Sequence, residues 1–211
     1  MKKLLFFTLL FATGSIGADV LVVNIWDPLP GKGQATAQNA QTAKAIHEKH
    51  GATVTMAYDG MGRMHYATGF KNWKDWTKFQ KKTQSSKEWT EFWSQVIADP
   101  SADLEDRYLL NVVSPGGVGS VYQVYIWEAE RALGELIESA MKAEAIHEKA
   151  GVDVSINIDQ MNRMHYVMSY ANWEDWAKFQ DGTPSEEWNN YWAEASKDPA
   201  GKLIKVYTAG D

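Results

Sequence analysis

Short apolar and β-branched runs recur along the chain and predict eight β-strands. Residues 20–26 and 121–127 are two such runs. In residues 53–58 and 153–158, apolar side chains alternate with small or polar ones, which is typical of a strand with two different faces. Further runs predict the other four strands at residues 63–69, 163–170, 108–113 and 203–208.

Between the first two strands of each half, apolar residues recur every three or four positions and predict a helix. The spacing is clearest in the second half, at Leu133, Leu136, Ile137, Ala140, Met141 and Ile146. Gly51 and Gly151 follow these helices and predict left-handed ends. Asn72 and Asn172 predict the N-caps of later, tryptophan-bearing helices.

The two halves are copies of one module. Residues 59–66 read DGMGRMHY and residues 159–166 read DQMNRMHY, so six of eight positions are identical. Gly62 is matched by Asn162, and both residue types accept positive φ, which predicts a tight turn. We place a β-α-β-β-α-β module at residues 19–113, a flexible linker at residues 114–120 and a second module at residues 121–211.

The first 18 residues have the pattern of an export signal. A basic start at Lys2 and Lys3 precedes an apolar run too short to span a bilayer, and small residues up to Ala18 follow. No later segment is apolar enough to cross a membrane. We therefore expect a periplasmic or secreted protein with no membrane partner after cleavage near Ala18.

The composition excludes several kinds of partner and of catalysis. Without Lys2 and Lys3 the 21 basic residues become 19, against 27 acidic ones, a formal charge of −8 that argues against a nucleic-acid partner. The chain has no cysteine, so disulfides and thiolate catalysis are excluded. No zinc motif, Walker loop or dinucleotide fingerprint occurs, and we expect neither a metal nor a cofactor.

The module resembles a known structural unit. A β-α-β-β-α-β chain with two tryptophan-bearing helical segments before its last strand is similar to the ferredoxin-like unit of the dimeric α+β barrel superfamily. That group includes antibiotic-biosynthesis-monooxygenase-like, NIPSNAP-like and haem-degrading members. The resemblance covers essentially all of residues 19–211. It implies an α+β fold in which two tandem modules pair their antiparallel sheets into an intramolecular barrel, with the helices outside.

Strand alternation then selects the candidate site. If the wholly apolar strand faces lie under the helices, the mixed faces line the barrel interior. Eight side chains are predicted there: Asn24, Trp26, Arg63, His65, Tyr125, Trp127, Arg163 and His165. Such an interior suits a planar or aromatic small molecule, with arginines binding an anionic group. His65 or His165 is the predicted catalytic base of a cofactor-independent oxygenase or isomerase.

Other interpretations stay open. The same polar residues can fill a structural core, which would make the chain a non-enzymatic scaffold or interaction protein, and self-association is compatible with either role. Met61 and His65 could together bind copper, but they would supply only two ligands. Any one of His47, His50, His65, His147 and His165 could be an axial haem ligand. However, residues 73–80 lack the histidine of haem-degrading relatives, and we expect His47 and His147 on exposed helix flanks.

Overall fold

A computed structural model describes residues 18–211, and its elements follow the predicted order. The strands are β1 (Val20–Pro28), β2 (Thr53–Asp59), β3 (Met64–Phe70), β4 (Ala102–Ser114), β5 (Val121–Ala129), β6 (Asp153–Asp159), β7 (Met164–Tyr170) and β8 (Gly201–Gly210). The helices are α1 (Gly33–Lys49), α2 (Trp73–Gln84), α3 (Lys87–Ala98), α4 (Leu133–Lys149), α5 (Trp173–Asp181) and α6 (Glu186–Ala195).

Apart from Ala18, the predicted signal peptide lies outside the described residues. In the described part, no helix has the length and apolar character needed to cross a membrane.

The eight strands close into one antiparallel ring, and both modules contribute to its closure. The order around the ring is β1-β3-β2-β8-β5-β7-β6-β4. β4 pairs with β1 of its own module and with β6 of the other. In the same way, β8 pairs with β5 and reaches across to β2. The predicted α+β barrel is confirmed, and neither module completes it alone.

Local signals placed the turns and caps correctly. Gly62 has φ 80° and Asn162 has φ 59°, so the matched turn positions both adopt the predicted left-handed backbone. Asn72 and Asn172 each accept a hydrogen bond from a backbone N–H in the first turn of the following helix. The left-handed turns thus precede β3 and β7, and the asparagine caps mark where α2 and α5 start.

The fourth strands are longer than predicted. β4 begins at Ala102, six residues before the apolar run that indicated it, and β8 begins at Gly201, two residues before its run. Their first halves pair only with β1 and β5 and extend past the end of the ring. Lys205 of β8 binds Asp106 of β4 across this end, with Nζ 2.7 Å from Oδ2.

The connection between the modules is packed, although its composition predicted a flexible linker. It runs between Ser114 and Val121. A Cβ atom on Gly116 would collide with the backbone of Val154, and one on Gly119 with that of Tyr170. These glycines therefore serve close backbone approach, and the segment lies against the opposite end of the barrel.

Candidate functional site

Each repeated octapeptide forms a turn held by a single carboxylate. Asp59 Oδ1 accepts from the backbone N–H groups of Met61 (2.9 Å) and Arg63 (3.1 Å). Its Oδ2 accepts from Arg63 Nε (2.7 Å) and lies 3.1 Å from His65 Nε2. Burial alone would raise the pKa of Asp59, but these hydrogen bonds outweigh it and hold that pKa below its usual range.

The second copy repeats the cluster and defines the state of both imidazoles. Asp159 Oδ2 lies 2.7 Å from Arg163 Nε and 3.2 Å from His165 Nε2. Because an ionised carboxylate only accepts, Nε2 of each histidine carries the hydrogen. Burial lowers the pKa of His65 and His165 despite the neighbouring carboxylates. Each imidazole is therefore neutral at pH 7, and among residues 18–211 its Nδ1 has no hydrogen-bond partner.

These two histidines line a cavity inside the barrel, as predicted. The cavity has a volume of about 180 Å³. The His65 ring lies 4.7 Å from that of Tyr207, and the His165 ring lies 4.7 Å from that of Tyr108. The two modules thus contribute matched His–Tyr pairs to one small space.

The predicted interior position of four side chains is wrong. Asn24, Trp26, Tyr125 and Trp127 lie on the helix side of β1 and β5, where the three aromatic residues pack against the cores under the helices. Leu21 and Val23 face the barrel cavity instead. The assumption failed because the interior of a closed barrel is itself an apolar core, so a wholly apolar strand face does not have to lie under a helix.

The arginines do not serve as anion clamps inside the barrel. Arg63 binds Asp59 and also both oxygens of Glu105, each at 2.8 Å. Arg163 binds Asp159 and lies over the ring of Tyr108, 5.5 Å from its centroid. Neither guanidinium is among the groups that line the cavity. Both are neutralised by carboxylates and stabilise the turns.

In a second pair of histidines, His147 is buried and His47 is half-buried, although the sequence indicated exposed helix flanks. His147 Nδ1 lies 2.7 Å from the hydroxyl of Tyr166, and His47 Nδ1 lies 2.8 Å from that of Tyr66. Burial lowers the pKa of each imidazole to about 4. A neutral ring gains little from the helix dipole, so the predicted reason for its position does not apply.

Helix spacing was the signal that could have placed these histidines. Leu136, Ala140, Ala143 and His147 follow one another at intervals of four, three and four residues, and all are buried. The first module repeats the spacing up to His47. A histidine that continues an apolar stripe lies on the face that packs against the sheet.

His147 and Tyr166 line a large cleft between the sheet and the helices of the second module. Its volume is about 1370 Å³. Aromatic rings from a strand and a helix form much of its wall: Tyr125, Trp127, Trp188, Tyr191 and Trp192. We name this space the second-module cleft. Tyr125 and Trp127 therefore do line a cavity, but not the predicted one.

The first module is packed more tightly at the matching place. There Trp93 of α3 reaches Trp26 of β1, with ring centroids 6.4 Å apart. Among residues 18–211, no aromatic ring of α6 forms such a pair with Trp127. Trp192, the counterpart of Trp93, is 49% exposed. The modules are thus equivalent in sequence pattern but not in packing.

The side chains fit copper and haem poorly. Met61 is 77% exposed at the hairpin tip, whereas His65 is buried against Asp59, so the two do not converge. The second-module cleft has the volume for a haem and contains His147. However, Lys178 is the one lysine or arginine among its described lining residues. The two negatively charged propionates of a haem would therefore be largely unneutralised there.

The closed ring of two β-α-β-β-α-β modules defines the structural class. The chain has the dimeric α+β barrel fold, with both modules in a single polypeptide.

Solved structures share this arrangement. A proposed monooxygenase from Lactobacillus acidophilus NCFM matches with a TM-score of 0.65 and 14% identity, over 91% of this chain and 93% of that one. Another from Fusobacterium nucleatum subsp. nucleatum has a TM-score of 0.61 and 11% identity, over 92% and 91%. An anthrone oxidase-like protein has a TM-score of 0.58 and 12% identity, over 93% of each chain. No protein-family model and no curated protein matches the sequence.

Proposed function

We propose that the chain binds a planar, largely neutral aromatic molecule in the second-module cleft and oxidises it with O₂ as a cofactor-independent oxygenase. One observation carries the proposal. The cleft is a large, aromatic-walled space with a buried His147–Tyr166 pair among its lining groups. A mostly apolar cavity with a few convergent polar groups is the usual form of a small-molecule site.

The walls favour an uncharged ligand of several fused rings. The volume of about 1370 Å³ exceeds that of most small-molecule pockets. Three tryptophans and two tyrosines, from a strand and a helix, offer stacking faces. Lys178 is balanced by Asp153 and Asp175 at the rim, so the lining has no net positive charge to attract an anion.

The low pKa of His147 suits a neutral hydrogen-bond donor better than a base. When the Tyr166 hydroxyl donates to Nδ1, the hydrogen of the imidazole is on Nε2 and can be donated to a substrate oxygen. A neutral imidazole donor stabilises the negative charge that develops when an aromatic ketone forms its enolate.

The overall reaction needs no external reductant. In an anthrone-type substrate, the reacting CH₂ group becomes C=O with one oxygen atom of O₂. The second oxygen atom leaves as water with both hydrogens, and the substrate supplies all four electrons. The structural neighbours described as proposed monooxygenases and as anthrone oxidase-like support this class of reaction.

A binding protein without catalysis is the second candidate. It is favoured by the same low pKa, because an imidazole with a pKa of about 4 is a weak base at neutral pH. His65 and His165 line the cavity on the other face of the sheet and are not among the groups that line the cleft.

Matched tryptophan variants test where the ligand binds. Trp127→Leu removes a wall of the cleft, and Trp26→Leu changes the equivalent position of the packed first module. We expect anthrone affinity, measured by calorimetry, to fall about tenfold in the first variant and to change little in the second. Equal losses, or no anthrone binding by the unaltered protein, would contradict the site.

Oxygen uptake separates the enzyme from the binding protein. With anthrone we expect O₂ consumption and formation of the quinone, followed by absorbance. His147→Phe should lose most turnover while retaining binding, and His47→Phe should keep both. Binding without O₂ uptake would rule out the oxygenase and retain the binding protein.

We also propose that the protein is exported. The charged, apolar and small-residue order of residues 1–18 supports this. Mass spectrometry of the protein from cell fractions should find a chain that begins at Asp19 outside the cytoplasm. An uncleaved chain confined to the cytoplasm would contradict export.

A further inference from the structure

The barrel interior is separated from the second-module cleft by the sheet. Its cavity of about 180 Å³ is bounded at one end by the His65 and His165 rings and at the other by the connection between the modules. At the histidine end, the Asp106–Lys205 ion pair crosses the barrel. At the other end Val118, a lining residue, is 54% exposed, so the cavity meets solvent there.

One polar side chain in the wall is buried and lacks a partner for its acceptor. Asn157 is 1% exposed. Its Nδ2 donates to Ser155 Oγ (3.2 Å) and weakly to the carbonyl of His165 (3.5 Å), while its Oδ1 has no partner within the described chain. A buried carbonyl oxygen without a hydrogen bond is costly, which indicates that a donor outside the chain satisfies it.

The neighbouring imidazole offers a second acceptor. Nε2–H of His165 is held by Asp159, so the lone pair of Nδ1 is free to accept. The same holds for His65. The polar groups of this cavity therefore call for hydrogen-bond donors, while Leu21, Val23 and Val124 form apolar wall around them.

We propose that the barrel interior is a second binding site, for a neutral single-ring molecule that carries a hydroxyl group, with phenol as the simplest example. Cavities of about 150 Å³ in protein cores admit benzene, so about 180 Å³ accommodates one substituted ring. The hydroxyl donates to Asn157 Oδ1, and the ring contacts the apolar wall.

The two copies differ in a way that orients the ligand. Asn157 and Ser169 of the second module correspond to Ala57 and Gly69 of the first. The wall formed by β6 and β7 thus carries two polar side chains that the opposite wall lacks, although Thr55 and His65 also line the cavity. A ring with one polar edge matches this unequal distribution of acceptors.

Calorimetry with phenol and toluene tests the proposal. We expect one phenol per chain and an affinity about five- to tenfold higher than that of toluene, the contribution of one hydrogen bond. Asn157→Ala, which copies the residue found in the first module, should abolish this preference. Equal affinity for the two probes, or no phenol binding, would overturn the proposal.

Two further variants keep the result independent of folding and of the proposed function. Ala57→Leu fills the cavity from the opposite wall and should abolish phenol binding, with anthrone binding unchanged. Trp127→Leu should weaken anthrone binding and leave phenol binding unchanged. Phenol binding that persists in Ala57→Leu, or that is lost in Trp127→Leu, would show that phenol does not bind in the barrel.

Discussion

Asp59 and Asp159 are the residues on which both hairpins depend. Each carboxylate satisfies two backbone N–H groups of its turn, neutralises an arginine and fixes the tautomer of a histidine. The sequence predicted the tight turn from Gly62 and Asn162. It could not show that the arginine points back to the same carboxylate, because that depends on the three-dimensional path of the hairpin.

Replacing one of these aspartates should destabilise the fold strongly. Asp159→Asn leaves Arg163 without its main counter-charge, and we expect a loss of about 3 kcal/mol in the free energy of unfolding, measured in urea. Asp198→Asn, which removes the exposed partner of Arg131, is the control and should change stability little. Similar losses in the two variants would contradict the role of the buried cluster.

Position 62, in the turn, accepts only residues that tolerate a left-handed backbone. Gly62→Asn should be tolerated, because Asn162 adopts the same left-handed backbone in the other copy. Gly62→Ala should cost about 1 kcal/mol of unfolding free energy, since alanine lacks the side-chain hydrogen bond that helps asparagine in this region. Thermal unfolding of both variants measures the difference, and an alanine variant as stable as the asparagine one would contradict it.

At the scale of elements, strand alternation predicted which residues share a face but not which face is inside. The mixed faces of β2, β3, β6 and β7 do face the barrel, with Thr55, Ser155 and Asn157 in its wall. The rule failed for β1 and β5, whose apolar faces also point inward. A closed barrel has two cores, inside and under the helices, and hydrophobicity alone does not distinguish them.

The buried histidine of α4 predicts acid sensitivity. Its pKa of about 4 in the folded state lies below the ordinary 6.5, so the unfolded chain takes up its proton first as the pH falls. Stability should be unaffected by this group above pH 6.5 and decline between pH 6.5 and 4. The ordinary and lowered pKa values imply a loss of about 2 kcal/mol from His147 by pH 4.5.

Urea denaturation from pH 9 to pH 4.5 measures this contribution. His147→Gln should lose less stability than the unaltered protein between pH 7 and 4.5, by about 2 kcal/mol. Between pH 7 and 9 the two stability curves should be parallel, because the imidazole is neutral in both states. Parallel curves at acid pH as well would show that His147 does not resist protonation.

At the scale of the molecule, the duplication was visible in the sequence, but the sharing of strands was not. The pairing of β4 with β6 and of β8 with β2 joins residues from different modules, and no local pattern encodes those partners. The unequal packing of the copies was also hidden. It depends on whether Trp93 and Trp192 reach the first strand of their module, which residue types alone do not determine.

The shared ring predicts that half of the chain does not fold as a monomer. In residues 121–211 alone, β6 and β8 lose their partners β4 and β2 and expose open sheet edges. Size-exclusion chromatography and circular dichroism should find this fragment either unfolded or self-associated. A folded monomer would contradict an interdependent barrel. In residues 18–211 the ring is closed and leaves no such sheet edge open. Self-association of the intact chain stays a prediction.

Methyl NMR of methionines tests the location of the ligand site most directly. Met164 and Met168 line the second-module cleft, and Met64 is the counterpart of Met164 in the packed first module. With ¹³C-methyl methionine and single Met→Leu variants for assignment, anthrone should shift the Met164 and Met168 signals and leave Met64 unmoved. Unchanged Met164 and Met168 signals at saturating anthrone, or an equal shift of Met64, would contradict the proposed site.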